Sequence, residues 1–507
     1  MAKKIKIDFS TNAQNGINCT KNLVNFQIKN KMLRNGMGVN NLSVCYNGTH
    51  TKTFVIRDDV ARILDSYFYT YFNTVGVEYG IFLLCAQKTD DSIVLLSATF
   101  ETSSSTFYEI SGINFSSVPI MAPFTIGGLT YFLFVPTNFE DYSYLLTNNS
   151  SITIHNIPAS NDVAFYDGKV YAITKANANK LFITSNESVD SLISSQFNGD
   201  IVDFSDGLGK FLALKQMNGY LYAIREKGIT RIMSSGCGES FSYKTISFDF
   251  SKIFEGTICV CDDVMMMVGV DGVYVFDGID FQKLSFDCNE NLEDINRANC
   301  ATYDGVNYYF SANLQDETKE HELPCVGLTH NSLVCVNTKT KEVLCTRGVS
   351  VSKLMSCFHN GITKVVICFD DVNQNKLGEI NFDGQLFDSV STKIWESYDA
   401  CFDEKHVIKS IELCGNGQFE IKIFADDKKY VFNASLTSVP TKINTNLRGK
   451  KFELVLKSSS QDASAYDIFV EVLWCQQILQ KRHIKCLVIT QMKLWKTKQK
   501  LVVLKTK

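Results

Sequence analysis

The residues of this 507-residue chain that could do chemistry are paired acids, scattered cysteines and one glycine-rich turn. The acids pair at Asp262-Asp263, Asp370-Asp371 and Asp426-Asp427. Two carboxylates can divide the acid and base roles of glycoside hydrolysis or ligate calcium. The same pairs are also ordinary solvated turn residues, and Asp426-Asp427 before Lys428-Lys429 reads as a hairpin tip. The segment Ser235-Gly236-Cys237-Gly238-Glu239-Ser240 is the nearest approach to a nucleophile elbow. Cys237 would need a neighbouring base such as His to be reactive, and the 7 His lie far apart in sequence. A Gly-x-x-x-x-Gly-Lys-Ser/Thr phosphate loop and a His-Glu-x-x-His zinc motif are both absent. The expectation is no catalytic, cofactor-binding or metal-binding residue, no cofactor, and no enzymatic activity.

The 17 Cys include no Cys-x-x-Cys pair, which gives no signal for a zinc ribbon or a redox pair. Cys259 and Cys261 occupy alternate positions of one strand and face the same side. Buried free thiols in a reducing compartment are expected. The opening residues 1–10 are basic but lack a following apolar core, so no signal peptide is predicted. No run of about 18 apolar residues exists to span a bilayer. The chain is therefore expected to be made in the cytoplasm and to stay soluble, with sequons such as Asn47-Gly48-Thr49 and Asn433-Ala434-Ser435 unglycosylated. A net charge of −4 argues against bare nucleic acid as the main partner.

The elements that would hold these residues are strands. The chain has 36 Phe and 21 Tyr but only 6 Pro, a composition suited to pleated, half-buried surfaces with turns made by Gly, Asn and Asp. Residues 1–50 read as an extended arm with turns at Asn15-Gly16-Ile17-Asn18 and Asn35-Gly36-Met37-Gly38. The arm cannot bury its own apolar residues, so it is expected to order against a neighbour or to close a propeller. Its removal is expected to impair assembly and to leave the β core folded. Residues 51–395 carry short apolar runs at 81–87, 92–100, 131–136, 169–174, 211–216, 220–226, 264–270 and 273–278. Gly followed by Tyr recurs at Gly128/Tyr131, Gly168/Tyr171, Gly219/Tyr222, Gly272/Tyr274 and Gly305/Tyr308, in steps that suit propeller blades. Five to eight blades are compatible with the spacing, and an irregular sandwich is the competing reading. Residues 396–474 alternate apolar and polar positions, the mark of an antiparallel β-sandwich with one wet face. Residues 475–507 hold nine Lys or Arg and no acid, leaving about −13 on the body by difference. They read as a docking element or a frameshifted end, being too apolar for a solvated tail. The expected fold class is all-β: a β-propeller with an extended N-terminal arm and a C-terminal antiparallel β-sandwich.

Several phrases, in order, resemble a family of bacteriophage virion proteins, the β-propeller tail proteins called stabilisation, hub or nozzle proteins, and related prophage proteins. They are the glycine turns near 15–18 and 35–38, the stretches 166–185, 199–232 and 264–285, and the closing segments 405–432 and 447–458. The second blade phrase is centred on Asp271-Gly272-Val273-Tyr274-Val275-Phe276-Asp277-Gly278. The resemblance spans about residues 10 to 475, and the basic end departs from it. It implies a structural component of a phage tail or head–tail connector, located in the virion, assembling as a multi-copy ring around a DNA channel. The implied partners are other virion proteins and copies of the chain itself, with no catalytic residues to carry over. Two other classes remain open: a carbohydrate-binding or glycan-active propeller, and a non-viral cytoplasmic scaffold.

Overall fold

A computed structural model describes residues 3–474, except 8, 10–19, 47–49, 73–74, 127–128, 147–151, 156, 185–198, 205, 235–240, 249–250, 287–289, 315–331, 371–372, 388 and 427. The described residues are almost all in strands, with two short 3₁₀ turns at Glu255–Thr257 and Glu290–Glu293. They contain no helix long and apolar enough to cross a membrane. The turns at Asn15–Asn18 and Asn47 and the basic end at 475–507 lie outside them.

Six four-stranded antiparallel sheets and a seventh, six-stranded one follow one another as the blades of a propeller. Blades one to six span residues 60–109, 120–155, 160–203, 211–247, 259–283 and 295–347, and blade seven begins with three strands in 351–381. The first two strands of several blades are joined by two-residue turns: Asp167-Gly168, Asn218-Gly219 and Asn360-Gly361. Both residues of each turn have positive φ. That is the type I′ geometry, whose twist matches the flanking strands. Blade five uses Asp262-Asp263 at the same place. Its Gly272/Tyr274 pair falls one hairpin later, which is why the glycine spacing looks uneven in sequence.

Second strands lie between neighbouring blades and are buried on both faces. Lys169–Thr174 is buried at all six positions. The blades interlock through apolar clusters; Tyr222, Ile224 and Ile229 of blade four pack with Met265, Met267 and Phe276 of blade five. Each such side chain contributes about 1.5–3 kcal/mol on burial. The innermost strands of blades one, three, four, six and seven share a β-bulge near their start. A bulge bends a strand and re-aims its side chains.

The fourth strand of blade seven comes from the other end of the chain. Gly38–Asn41 pairs antiparallel with Leu377–Asn381, with Val39 opposite Ile380. Val39 is fully buried beside Ile367 and Phe369. Its Cγ1 lies 2.6 Å from where a Cβ on Gly378 would stand, so the close approach needs glycine there. One compact unit is therefore Met37–Ser389, rather than 51–395.

The second unit is built from both chain ends. Lys3–Ile7, Thr20–Val24, Phe26–Lys29 and Met32–Asn35 join Lys393–Ser397, Ala400–Ala425, Lys428–Leu436, Thr441–Ser458 and Ser464–Trp474 in one nine-stranded, nearly closed sheet. The 26-residue strand meets the 18-residue strand twice: Ile408 opposite Leu447 and Leu413 opposite Thr441, then Glu420 opposite Lys457 and Ala425 opposite Phe452. Both strands thus bend from one layer to the other, and the expected sandwich is a barrel-like sheet with shared corners. Phe9, Leu23, Phe26 and Leu33 lie in its core with Trp395 and Phe419. The opening residues are strands of this unit and of blade seven rather than a separate arm. The expectation that the β core survives loss of residues 1–50 is corrected accordingly, because that loss would strip five core side chains here, Ile7 among them, and the closing strand there.

Two carboxylates are buried in this unit. Glu396 is 1 % and Glu453 2 % exposed, and Asn22 Nδ2 donates to Glu396 Oε2 at 2.7 Å. Burial first, then the hydrogen bond and charge of Glu453, hold the Glu396 carboxyl above the ordinary range. The folded state keeps this proton better than the unfolded chain. Stability therefore declines as pH rises above about 4.3, the unfolded value, toward the folded one. Glu396→Gln should flatten that decline and raise the melting temperature of this unit at pH 7–8. The gain should be about 1–2 kcal/mol, read from melts at pH 5 and 8.

Candidate functional site

Two concave regions lie within the propeller. The first is the axial channel, about 700 Å³, to which every blade contributes from its inner strand or the loop leading to it. Asp65 of blade one pairs with Lys353 of blade seven at 2.7 Å, across the junction where the ring closes. Asp162 takes the backbone N–H of Leu214 at 2.8 Å, tying blade three to blade four. Asn299 Nδ2 donates to Ser352 O at 2.7 Å, tying blade six to blade seven. Partial burial, then the charges of Asp162 and Glu226, hold Glu255 above the ordinary carboxylate range. The channel's polar groups are thus largely employed in joining blades.

The second is a cavity of about 660 Å³ between blade one, blade seven and the hairpin formed by Ser43–Tyr46 and His50–Thr53. A lysine fastens the hairpin on each side. Lys52 Nζ donates to the carbonyls of Thr99, Thr102 and Ser104 at 2.6, 2.8 and 2.8 Å. Burial lowers the Lys52 pKa, partly offset by the charge of Glu101. Lys364 Nζ donates to Ser43 O and to Glu379 Oε2 on the blade-seven side.

The floor of the cavity is polar. His359 ends the first strand of blade seven, and its Nε2 lies 2.7 Å from Glu101 Oε1. Asn360 Nδ2 is 3.3 Å from His359 Nδ1. Glu101 Oε1 also accepts the N–H of Gly80 at 2.7 Å. Glu101 Oε2 is buried without a hydrogen-bond partner among the described residues. Phe100 stands edge-on to the imidazole at 5.4 Å, and Glu78 Oε2 accepts the backbone N–H of Asn360 at 3.1 Å. Tyr46, Val77 and Ile362 form the apolar sides.

Gly80 allows this arrangement. A Cβ there would lie 3.0 Å from Phe68 Cζ and 3.1 Å from His359 Cδ2. Gly80→Ala should displace the imidazole and lower stability by about 1–3 kcal/mol, read from the melting temperature. An unchanged melting temperature would show that the ring has room to spare.

The acids singled out in sequence are turn and bridging residues. Asp262 Oδ2 accepts from Tyr303 Oη at 2.6 Å, linking blades five and six, and Asp263 O accepts from Asn218 Nδ2 at 3.2 Å. The backbone N–H of Asp370 donates to Ser350 O at 2.9 Å. Asp426 Oδ1 accepts the N–H groups of Lys450 and Lys451 at 2.8 and 3.0 Å, which lower its pKa. Asp371, Asp427 and the Cys237 turn lie outside the described residues. The eleven described cysteines are free thiols, and burial pushes those of Cys368 and Cys300 up to about 12 and about 11. Among the described residues no three His, Cys, Asp or Glu are placed to hold a metal ion. Sequence reading missed His359 and Glu101, which are 258 positions apart. The Asn360-Gly361 turn signal beside His359 was the one local clue.

No family model matches the chain, and no curated protein matches it. Solved structures similar to it include the WD40 domain of Neurospora crassa Pan2, at 9 % identity and a TM-score of 0.37, covering 60 % of this chain and 85 % of that one. A puromycin-hydrolysing peptidase of Mycobacterium tuberculosis has 9 % identity and a TM-score of 0.35, covering 65 % and 57 %. Kluyveromyces lactis Hsv2p has 9 % identity and a TM-score of 0.35, covering 76 % and 100 %. The seven-bladed ring is read from its own sheet order, and these likenesses carry neither residues nor activities to this chain.

Proposed function

We propose that the chain is a structural component of a phage tail or head–tail connector, built as a ring of several copies with other virion proteins as neighbours. The observation that supports this most is the way both β units are completed. Gly38–Asn41 closes blade seven, and strands from residues 3–35 complete the sheet of 393–474. Closure of this kind leaves few free strand edges, so a copied component resists unwanted edge-to-edge pairing. The ordered resemblance to phage tail propellers supports the same reading. A DNA channel in such an assembly would run between copies. The propeller's own opening of about 700 Å³ has the size of a small-molecule site.

The test is the mass of the purified full chain by sedimentation across micromolar concentrations, with negative-stain images. Rings of defined copy number, or rings formed on adding neighbouring virion proteins, are expected. A monomer throughout, encoded among genes of sugar metabolism or secretion rather than portal, terminase or tail-fibre genes, overturns the proposal.

A further inference from the structure

We propose that the cavity beneath the strand pair Ser43–Tyr46 and His50–Thr53 binds a neutral saccharide of one or two rings. This goes beyond the assembly reading and does not depend on it. The volume of about 660 Å³ lies within the range of small-ligand sites. Apart from Glu78, the charges in and behind its walls are already engaged. Glu101 is held by His359 and Gly80, Lys364 by Glu379, and Lys52 by three carbonyls. An anionic ligand would have to displace a partner of Lys52 or Lys364 and would meet the Glu78 carboxylate, at the cost of leaving a buried group unpaired. A neutral ligand would not.

The remaining features match a sugar ring. Tyr46, Val77 and Ile362 at the sides offer apolar surface to the C–H face of a pyranose, and Phe100 is buried beneath them. Val77 and Ile362 are 51 % and 56 % exposed, so that surface is open to a ligand. Glu78 and Asn360 stand at the same wall, where hydroxyl groups find a carboxylate acceptor and an amide. Glu101 Oε2 lacks a donor among the described residues. A buried polar atom in that condition calls for a ligand or water to complete it. A hydroxyl entering from the cavity would supply it after a small rotation of the carboxyl.

The experiment is saturation-transfer NMR and calorimetry on the full chain. The probes are glucose, galactose, N-acetylglucosamine, maltose and cellobiose, with glucosamine and glucuronate as charged controls. Saturable binding of at least one neutral sugar is expected, with glucuronate at least tenfold weaker. Thr51→Trp, placed in the exposed hairpin to fill the cavity, and Glu78→Ala should each weaken that binding at least tenfold. Both should keep the wild-type circular dichroism and melting temperature. Absence of saturable binding to every neutral sugar overturns the proposal. So does preferential binding of a charged control, or binding that survives both folded variants unchanged.

Discussion

Val39→Asp should open the propeller at blade seven and lower stability by at least about 3 kcal/mol. Val39 is fully buried, and its carbonyl accepts the N–H of Phe387 at 2.7 Å. Its cluster holds Tyr309, Leu333, Ile367 and Phe369. A carboxylate in that position would be desolvated with no donor to receive it, at a cost of several kcal/mol. The strand pairs with Leu377–Asn381 over four residues on one edge, and Leu386 lies opposite Val39 on the other. Hydrogen exchange should report the loss locally first, with peptides covering 362–381 and 38–41 losing protection before those of blades three to five. Val39→Ile, which keeps the apolar surface, should stay within about 1.5 kcal/mol of the parent. If Val39→Asp melts like the parent, the ring is held by something other than this strand.

The second large effect is expected at Arg225, whose side chain is fully buried. Its guanidinium donates to Asp206 Oδ2 at 2.7 Å, to Phe204 O at 2.8 Å and to Gly209 O at 2.9 and 3.1 Å, and lies over the Phe211 ring at 4.8 Å. It thereby organises the link between the outer strand of blade three and the inner strand of blade four. Arg225→Met keeps the length and apolar stem but removes the guanidinium's donors from the Gly209 and Phe204 carbonyls and from the Asp206 carboxylate. Removing one partner of a buried pair costs about 3–5 kcal/mol. The lower end is expected because Asp206 is 36 % exposed. The hydrogen bond from Arg225 chiefly holds the Asp206 carboxyl below its ordinary value. That contribution is present above about pH 3.9 and is lost as pH falls through the folded value. Denaturant melts at pH 7 and pH 3 should show the acid-sensitive share disappear in Arg225→Met. Arg225→Lys should recover only part, because an ammonium cannot reproduce the planar fork.

Local signals made the blades legible. Short runs such as 169–174 and 220–226 coincide with second strands, and dipeptides such as Asn218-Gly219 mark the hairpin turns. What the sequence hid is non-local. The pairing of Val39 with Ile380 joins residues 341 apart, and no periodicity encodes that distance. The same holds for Thr20–Val24 beside Lys393–Ser397, so the opening segment read as an arm. The recurrent bulges carry no common residue type, and the Asp262 turn of blade five replaces the glycine found in its neighbours. The cavity was hidden for a related reason. Its floor joins Gly80, Glu101 and His359, three residues unremarkable in their own neighbourhoods.

The chain-end construction of the second unit sets the order in which the protein can mature on the ribosome. Residues 3–35 emerge before the propeller, yet their partners at 393–474 emerge only after the whole of Met37–Ser389. At about 5–20 residues per second the interval is roughly 20–70 s. Through it Phe9, Leu23, Phe26 and Leu33 have no core to enter. The growing propeller shortens the wait in another sense, since a folded ring holds residues 37 and 389 near its seventh blade and replaces a long random loop with a short one. Slowing or stalling translation within the propeller should therefore harm the terminal unit more than the blades already made.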